Sequence, residues 1–298
     1  MNTAEIGFMK RKGYKKPKRK SLNRSVGGTV TIFLILALLG AFMLLPIVYA
    51  IVTAFKPVNE IFIYPPRFWV QHPTIANFID MIEITQETWV PFERSLFNSL
   101  FVSVAGTALY ILIASMAAFP LAKKKSKWIG FYYQILVLAI LFRPEVTRTP
   151  LYIIMSGMGL LNSYLSIILP ILAGSFGVFL MRQFMLTIPD EILEAAKVDG
   201  ANDYRIFFRL IMPLVKPAWM TLTIFTFNSL WNTGDIQYIY NEEMKTLTAV
   251  LQSISSAGIA RAGAGAAVAV ILMIPPVLVF IVSQSSVMET MSHTGLKG

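Results

Sequence analysis

The chain has 298 residues, 55% of them hydrophobic and 14% charged, with a mean hydropathy of +0.62; soluble domains carry about a quarter charged residues, so this is the composition of an integral membrane protein. The absence of cysteine excludes disulfides, thiol catalysis and Cys-ligated zinc or iron–sulfur sites, and with two histidines, His72 and His293, no metal site is expected. The formal charge of +10 sits mostly in residues 1–24, where nine Lys or Arg face Glu5 alone, a tail with no folded neighbour to suggest nucleic-acid binding.

In chain order, that basic tail (1–25) comes first and reads as a cytoplasmic end drawn to anionic headgroups. The charge-free run from Ser25 to Phe55 follows. Its apolar stretch is about twice the length of a signal-peptide core, which predicts an uncleaved helix over 28–55 despite the small-residue site at Val48-Tyr49-Ala50. A second span is predicted over 97–122. The next two charge-free runs fit badly: Trp128 to Phe142 is 15 residues, too short, and Thr149 to Met181 is 33, too long. Turn residues from Gly157 to Ser163 resolve this into a third span over 131–155 and a fourth over 164–185. Arg143, Glu145 and Arg148 then lie inside the membrane. Spans over 214–234 and 262–286 complete the set, with 26–290 the transmembrane domain and 291–298 a second tail.

The expected fold is therefore all-α: a polytopic membrane protein of six transmembrane helices, both termini cytoplasmic, with a cytoplasmic loop at 187–213 between helices 4 and 5. Under that topology 19 basic residues are cytoplasmic, five external and two intramembrane, the asymmetry of the positive-inside rule.

The 187–213 loop carries most of the signal. Thr187 and Pro189 can open a short helix with Asp190, Glu191 and Glu194 near its positive end, and Gly200 fits a left-handed stop. Asn202 or Asp203 can begin a second helix, with Tyr204, Phe207, Phe208 and Ile211 on one face and Arg205 and Arg209 on another. Periodicity alone leaves an interfacial amphipathic connector as an equal reading. The residue pattern is more specific. Glu194-Ala195-Ala196, three residues, Gly200, nine residues, Leu210, one residue and Met212-Pro213 resembles the EAA signature of ABC importer permeases, with Leu210 for Ile and Met212 for Leu. Phe55-Lys-Pro57, Glu60-Ile-Phe62, Pro65-Pro66, Phe97-Asn-Ser99, Gly159-Leu-Leu-Asn162 and Ile224 through Asn232 are similar to the carbohydrate class of those permeases, the maltose-type second subunit.

The resemblance implies that the loop docks on a separate ATPase, with Glu194, Ala195, Ala196, Gly200, Arg205 and Arg209 as the coupling residues. It implies a heterodimer with a second permease, two ATPase subunits, an extracytoplasmic (periplasmic) solute-binding protein and an oligosaccharide cargo, in a bacterial inner membrane. The chain is not expected to be an enzyme or to bind a cofactor: it has no GxxxxGK[ST] loop, and ATP and Mg belong on the partner ATPases.

Charges are expensive in hydrocarbon, so Arg143, Glu145 and Arg148 are either a structural ion-pair cluster or a lining that meets cargo. The surplus arginine favours uronate-containing cargo, with alginate the specific case and a neutral oligosaccharide the alternative. Asn228, Trp231 and Asn232 are candidate sugar contacts, Trp231 also fitting an interfacial anchor. Tyr238, Tyr240, Glu242 and Glu243 either meet the binding protein or form a solvated loop. An ion-coupled secondary carrier is the alternative function; it would want more midplane carboxylates than Glu145 and a repeated architecture.

Overall fold

The computed structural model describes residues 26–86, 91–124, 126–142, 144–234, 237–255 and 261–294, and all regular structure among them is helical. A helix satisfies every backbone group within its own segment, the condition hydrocarbon imposes on a spanning chain. The basic tail, Arg143 and the last four residues lie outside the described residues.

By internal contacts the chain divides into one unit up to Val48 and another from Tyr49 onward. The first unit holds most of α1 (Val26–Ala54), which has no charged residue in its 29. Its side chains from 27 to 47 are exposed on every side, and with apolar residues all round it has no polar face to turn to water.

The second unit contains α2 (Val58–Ile61), α3 (Ala76–Gln86), α4 (Phe92–Lys123), α5 (Lys127–Ile140), α6 (Pro144–Gly157), α7 (Leu165–Leu172) and α8 (Ser175–Leu186). The loop helices α9 (Asp190–Val198), α10 (Asp203–Arg205) and α11 (Met212–Leu214) follow, with a π-helical turn, Ile206–Ile211, between the last two. Then come α12 (Lys216–Trp231), α13 (Leu247–Ser255) and α14 (Ala262–Thr294).

Three stretches, Gly27–Ala54, Phe92–Lys123 and Ala262–Val287, are long and apolar enough to cross a bilayer unaided, and three bent helix pairs pass only when each pair is taken together. The expected continuous third span, 131–155, is instead α5 and α6 turned by 108°. Pro144 opens α6; without an N–H it cannot extend α5, whereas it suits a first helical position. The expected fourth span is bent by 42° between α7 and α8, and the expected fifth follows a 76° bend after α11.

The break between α7 and α8 is closed by a side chain from another helix. Tyr110 on α4 donates its hydroxyl proton to Gly174 O at 2.8 Å, and its hydroxyl oxygen accepts the Gly177 N–H at 2.7 Å. Gly174 is the residue before α8 and has no capping side chain of its own, so the phenol replaces a missing N-cap. A Cβ on Gly177 would stand 2.6 Å from that oxygen, so the contact requires glycine there. Tyr110→Phe keeps the ring but strands both backbone groups, a loss of about 1–3 kcal/mol. Thermal unfolding of the purified assembled protein should register it as a lowered midpoint; an unchanged midpoint would show the bend to be self-sufficient.

α4 packs most extensively on α8 and α12 through a buried face of small residues, including Ser99, Val102, Ser103, Gly106, Ala114 and Ala118, which lets helix backbones approach closely. One core cluster joins Tyr110, Ala114 and Ala118 to Met181 and Met185 of α8, to Ile206, Phe207 and Ile211 of the loop, and to Ala218 and Leu222 of α12. A second joins Met81 of α3, Phe227 and Trp231 of α12, Leu247 and Leu251 of α13, and Ala264, Ala267 and Val268 of α14.

The segment after α1 is tied down by buried polar groups. Asn77, 1% exposed, donates to Ala54 O at 2.8 Å and Lys56 O at 2.7 Å, satisfying carbonyls at the helix end. Lys56 reaches Arg67 O. Glu60 accepts the N–H groups of Gln71 at 3.0 Å and His72 at 2.8 Å. The Gln71 N–H is the main influence holding the Glu60 carboxyl below the usual carboxylate pKa, against the opposing effect of burial and with help from the His72 N–H. A lowered folded pKa contributes stability that is complete above the ordinary value and is lost as pH falls through the folded one. Hydrogen-exchange protection of Gln71 and His72, corrected for intrinsic rates, should therefore drop on acidification below the usual carboxylate range. Glu60→Gln should be less protected at neutral pH and lack that acid step; the same step in the variant would assign it to another group.

Candidate functional site

The loop from Thr187 to Pro213 is built in two pieces joined at Gly200. α9 starts with Asp190 and Glu191 in its first turn and ends with Lys197 in its last, both favourable to the helix dipole. Thr187 does not cap it: its hydroxyl donates back to Phe184 O at 2.8 Å, and Pro189 occupies the N-cap position. At the other end Gly200 has φ +79°. The Gly200 N–H bonds to Lys197 O at 3.0 Å and the Ala201 N–H to Ala196 O at 2.9 Å. This pair of crossed bonds is the Schellman motif, and it explains the spacing from Ala196 to Gly200 physically: Ala196 supplies the carbonyl that the residue after the glycine must reach.

Asn202 caps the second piece, its Oδ1 accepting the Arg205 N–H at 2.8 Å. The expectation of one apolar face bearing Tyr204, Phe207, Phe208 and Ile211 is corrected here. Residues Ile206–Ile211 are wound as a π-helix, with the Met212 N–H reaching Phe207 O, five residues back. The wider turn buries Ile206, Phe207 and Ile211 in the core and leaves Tyr204 73% and Phe208 50% exposed. Val198 beside the turn is 88% exposed. Glu194, Ala195, Arg205 and Arg209 are also exposed, and Ala196 is half-buried. The outer surface of the loop thus combines charged groups with exposed apolar ones, a composition suited to a protein partner. Val198 and Tyr204 were not singled out from sequence as surface residues; only the turn geometry and the π-helix turn them outward.

The loop is fixed to the helices as well. Lys123, at the end of α4, donates to Ile188 O and pairs with Asp190 Oδ1 at 2.8 Å. Arg182 on α8 donates to Leu121 O at 3.0 Å and lies over the Tyr133 ring of α5, 3.7 Å from its centroid.

The described residues among those expected on the pathway lie on two elements, α6 and α12. Arg143 lies outside the described residues; Glu145 and Arg148 are exposed on α6. Asn228 and Asn232 are exposed one turn apart on α12, Asn232 Nδ2 donating to Asn228 O at 2.9 Å and to its side-chain oxygen. Trp231 is corrected in both of its expected roles. It is fully buried, stacked on Phe227 at 6.0 Å, with Nε1 donating to Leu272 O at 2.9 Å. No ring face remains for a sugar or a headgroup. Asn98 on α4 donates to Glu243 O at 2.8 Å and Lys245 O at 3.0 Å and accepts the Tyr164 hydroxyl at 2.7 Å, pinning the segment between α12 and α13.

Residues 110–287, more than half of the chain, match the family described as the binding-protein-dependent transport system inner membrane component. The lactose transport system permease protein LacG of Rhizobium radiobacter is 28% identical over 219 residues, covering 73% of this chain and 77% of that one. The arabinooligosaccharides transport system permease protein AraQ of Halalkalibacterium halodurans is 29% identical over 267 residues, covering 85% and 91%. A chain from the crystal structure of a bacterial ABC transporter involved in the import of the acidic polysaccharide alginate superposes with a TM-score of 0.73 at 22% identity, covering 88% of this chain and 98% of that one, a likeness of fold.

Proposed function

Since the chain belongs to the binding-protein-dependent transport system inner membrane components, we propose that it is the six-span permease subunit of an ATP-driven oligosaccharide importer, coupled to its ATPases through the 187–213 loop. The observation that carries this reading is the loop itself: a Schellman turn at Gly200 holds a mixed apolar and charged surface outward while the same loop is packed into the core of α4, α8 and α12. In the proposed assembly that surface seats in a cleft of one of two ATPase subunits on the cytoplasmic side, with both termini of this chain on that side. ATP binding draws the ATPases together, the loop moves with them, and the helices it is packed against change the exposure of a cavity shared with a second permease. A periplasmic binding protein delivers cargo. This chain contributes no covalent chemistry; ATP and Mg act on the partner.

For cargo, the similarity to LacG and AraQ supports an oligosaccharide, and Arg143 and Arg148 favour a uronate-containing one such as alginate. Exposed Asn228 and Asn232, at the end of α12, suit a water-filled pathway better than lipid. The test is uptake of a labelled oligouronate into vesicles holding the whole complex, with binding protein outside. Uptake should stop with vanadate and survive an ionophore. The reverse pattern would establish an ion-coupled carrier instead, and uptake of a neutral oligosaccharide alone would retain the importer and discard the acidic cargo.

A further inference from the structure

Three tyrosines from two distant parts of the chain meet at one exposed place. Tyr152 on α6 and Tyr240, between α12 and α13, have their hydroxyl oxygens 2.8 Å apart, and Tyr152 stacks against Tyr238 at 6.2 Å between ring centroids and 24° between planes. Tyr240 is 58% and Tyr152 36% exposed. Buried tyrosines of this kind would be core; these are held open.

What holds them is Asn162, which adopts φ +60°. Its N–H donates to Tyr238 O at 2.7 Å, and its Oδ1 accepts the N–H groups of Tyr240 at 3.2 Å and Asn241 at 2.8 Å. Ile239, between the two tyrosines, is 4% exposed and anchors the strip in the core cluster of Val102, Ile167 and Leu230. The rings are therefore preorganised, which lowers the ordering cost of binding something to them. Arg148 stands four residues before Tyr152 and Glu145 seven, so all three share one face of α6.

We infer that Tyr152, Tyr238 and Tyr240 form a carbohydrate-stacking platform, with Arg148 as the partner of a sugar carboxylate. The inference rests on the proposed importer function and names where this chain first meets its cargo. An aromatic face carries partial negative charge and accepts the polarised C–H face of a pyranose ring. Of the two hydroxyl protons in the Tyr152–Tyr240 pair one is used between them, leaving one donor and free lone pairs for sugar hydroxyls. One helical turn away, the Arg148 guanidinium offers the planar fork that a carboxylate takes bidentately. A uronate oligomer supplies both features in repeating register; a neutral glycan supplies only the first.

The experiment is equilibrium binding of a labelled oligouronate pentamer, and of a neutral pentasaccharide, to the whole complex in nanodiscs without binding protein. Tyr240→Ala should weaken both about tenfold, Tyr240→Phe should retain most of the affinity, and Arg148→Gln should erase the preference for the oligouronate. The platform is overturned if Tyr240→Ala binds both sugars as the native complex does. It is also overturned if the variant instead loses affinity for the cargo-free binding protein, which would make the rings a protein-docking surface, or changes only thermal stability, as lipid-facing anchors would. If the native complex imports neither sugar when binding protein is supplied, the importer reading itself fails, independently of the tyrosine variants.

Discussion

Gly200→Val should reduce cargo-stimulated ATPase activity of the reconstituted complex by at least about tenfold while leaving this chain folded in the membrane. The reason is conformational. Gly200 sits at φ +79°, and a Cβ built there meets nothing within 4 Å, so the penalty comes from the backbone and not from crowding. A left-handed residue bearing a branched side chain costs on the order of 1–2 kcal/mol or more, comparable with the ~1.4 kcal/mol that separates a tenfold change in occupancy of the docking-competent loop. Relaxing that strain means undoing the crossed bonds to Lys197 and Ala196, which redirects Val198 and Tyr204. Asparagine tolerates the left-handed region, so Gly200→Asn should recover much of the coupling. Co-purification of the ATPase with each variant provides the second readout. Full coupling in the valine variant would mean that the turn does not position the docking surface.

The second large effect is on stability. Trp231→Ala removes a fully buried indole stacked on Phe227 and leaves Leu272 O without its donor. Large-to-small changes at such sites cost roughly 3–5 kcal/mol, depending on how far the surroundings collapse. The purified complex should unfold at a markedly lower temperature, and uptake should fall in proportion to the amount of folded protein. Trp231→Phe, which keeps most of the volume, should lose less. A variant with native stability and a selective loss of sugar affinity would return Trp231 to the pathway.

Much of the loop was legible because its signals are local. A left-handed stop wants glycine, a cap wants asparagine, and both act within four residues of the positions they serve. The π-helical turn was not legible: a period of 3.6 puts Phe207 and Phe208 on one face, and nothing within Ile206–Ile211 announces a wider winding. Trp231 was misread for the opposite reason. At the edge of a charge-free run an indole looks interfacial, and only the return of α13 and α14, with Leu251, Ala267 and Leu272 arriving from farther along the chain, encloses it. Tyr110 gave no sign of its capping role, since the groups it serves lie more than sixty residues away in sequence. The turn between α5 and α6 was missed because two charge-free runs were joined into one span across Arg143, Glu145 and Arg148, although Pro144 was the residue to heed.

The pairing of Lys123 with Asp190 and Ile188 has a mechanical meaning. A handle hinged only at its own ends would swivel when pulled and pass little torque to the bundle. In the proposed importer the handle is braced at its root to the tip of α4 and packed by Phe207 against Phe119 of that helix, so a pull on Glu194 or Tyr204 would tilt several rods together, and the stiffness of that brace would set how much of each stroke is delivered across the bilayer.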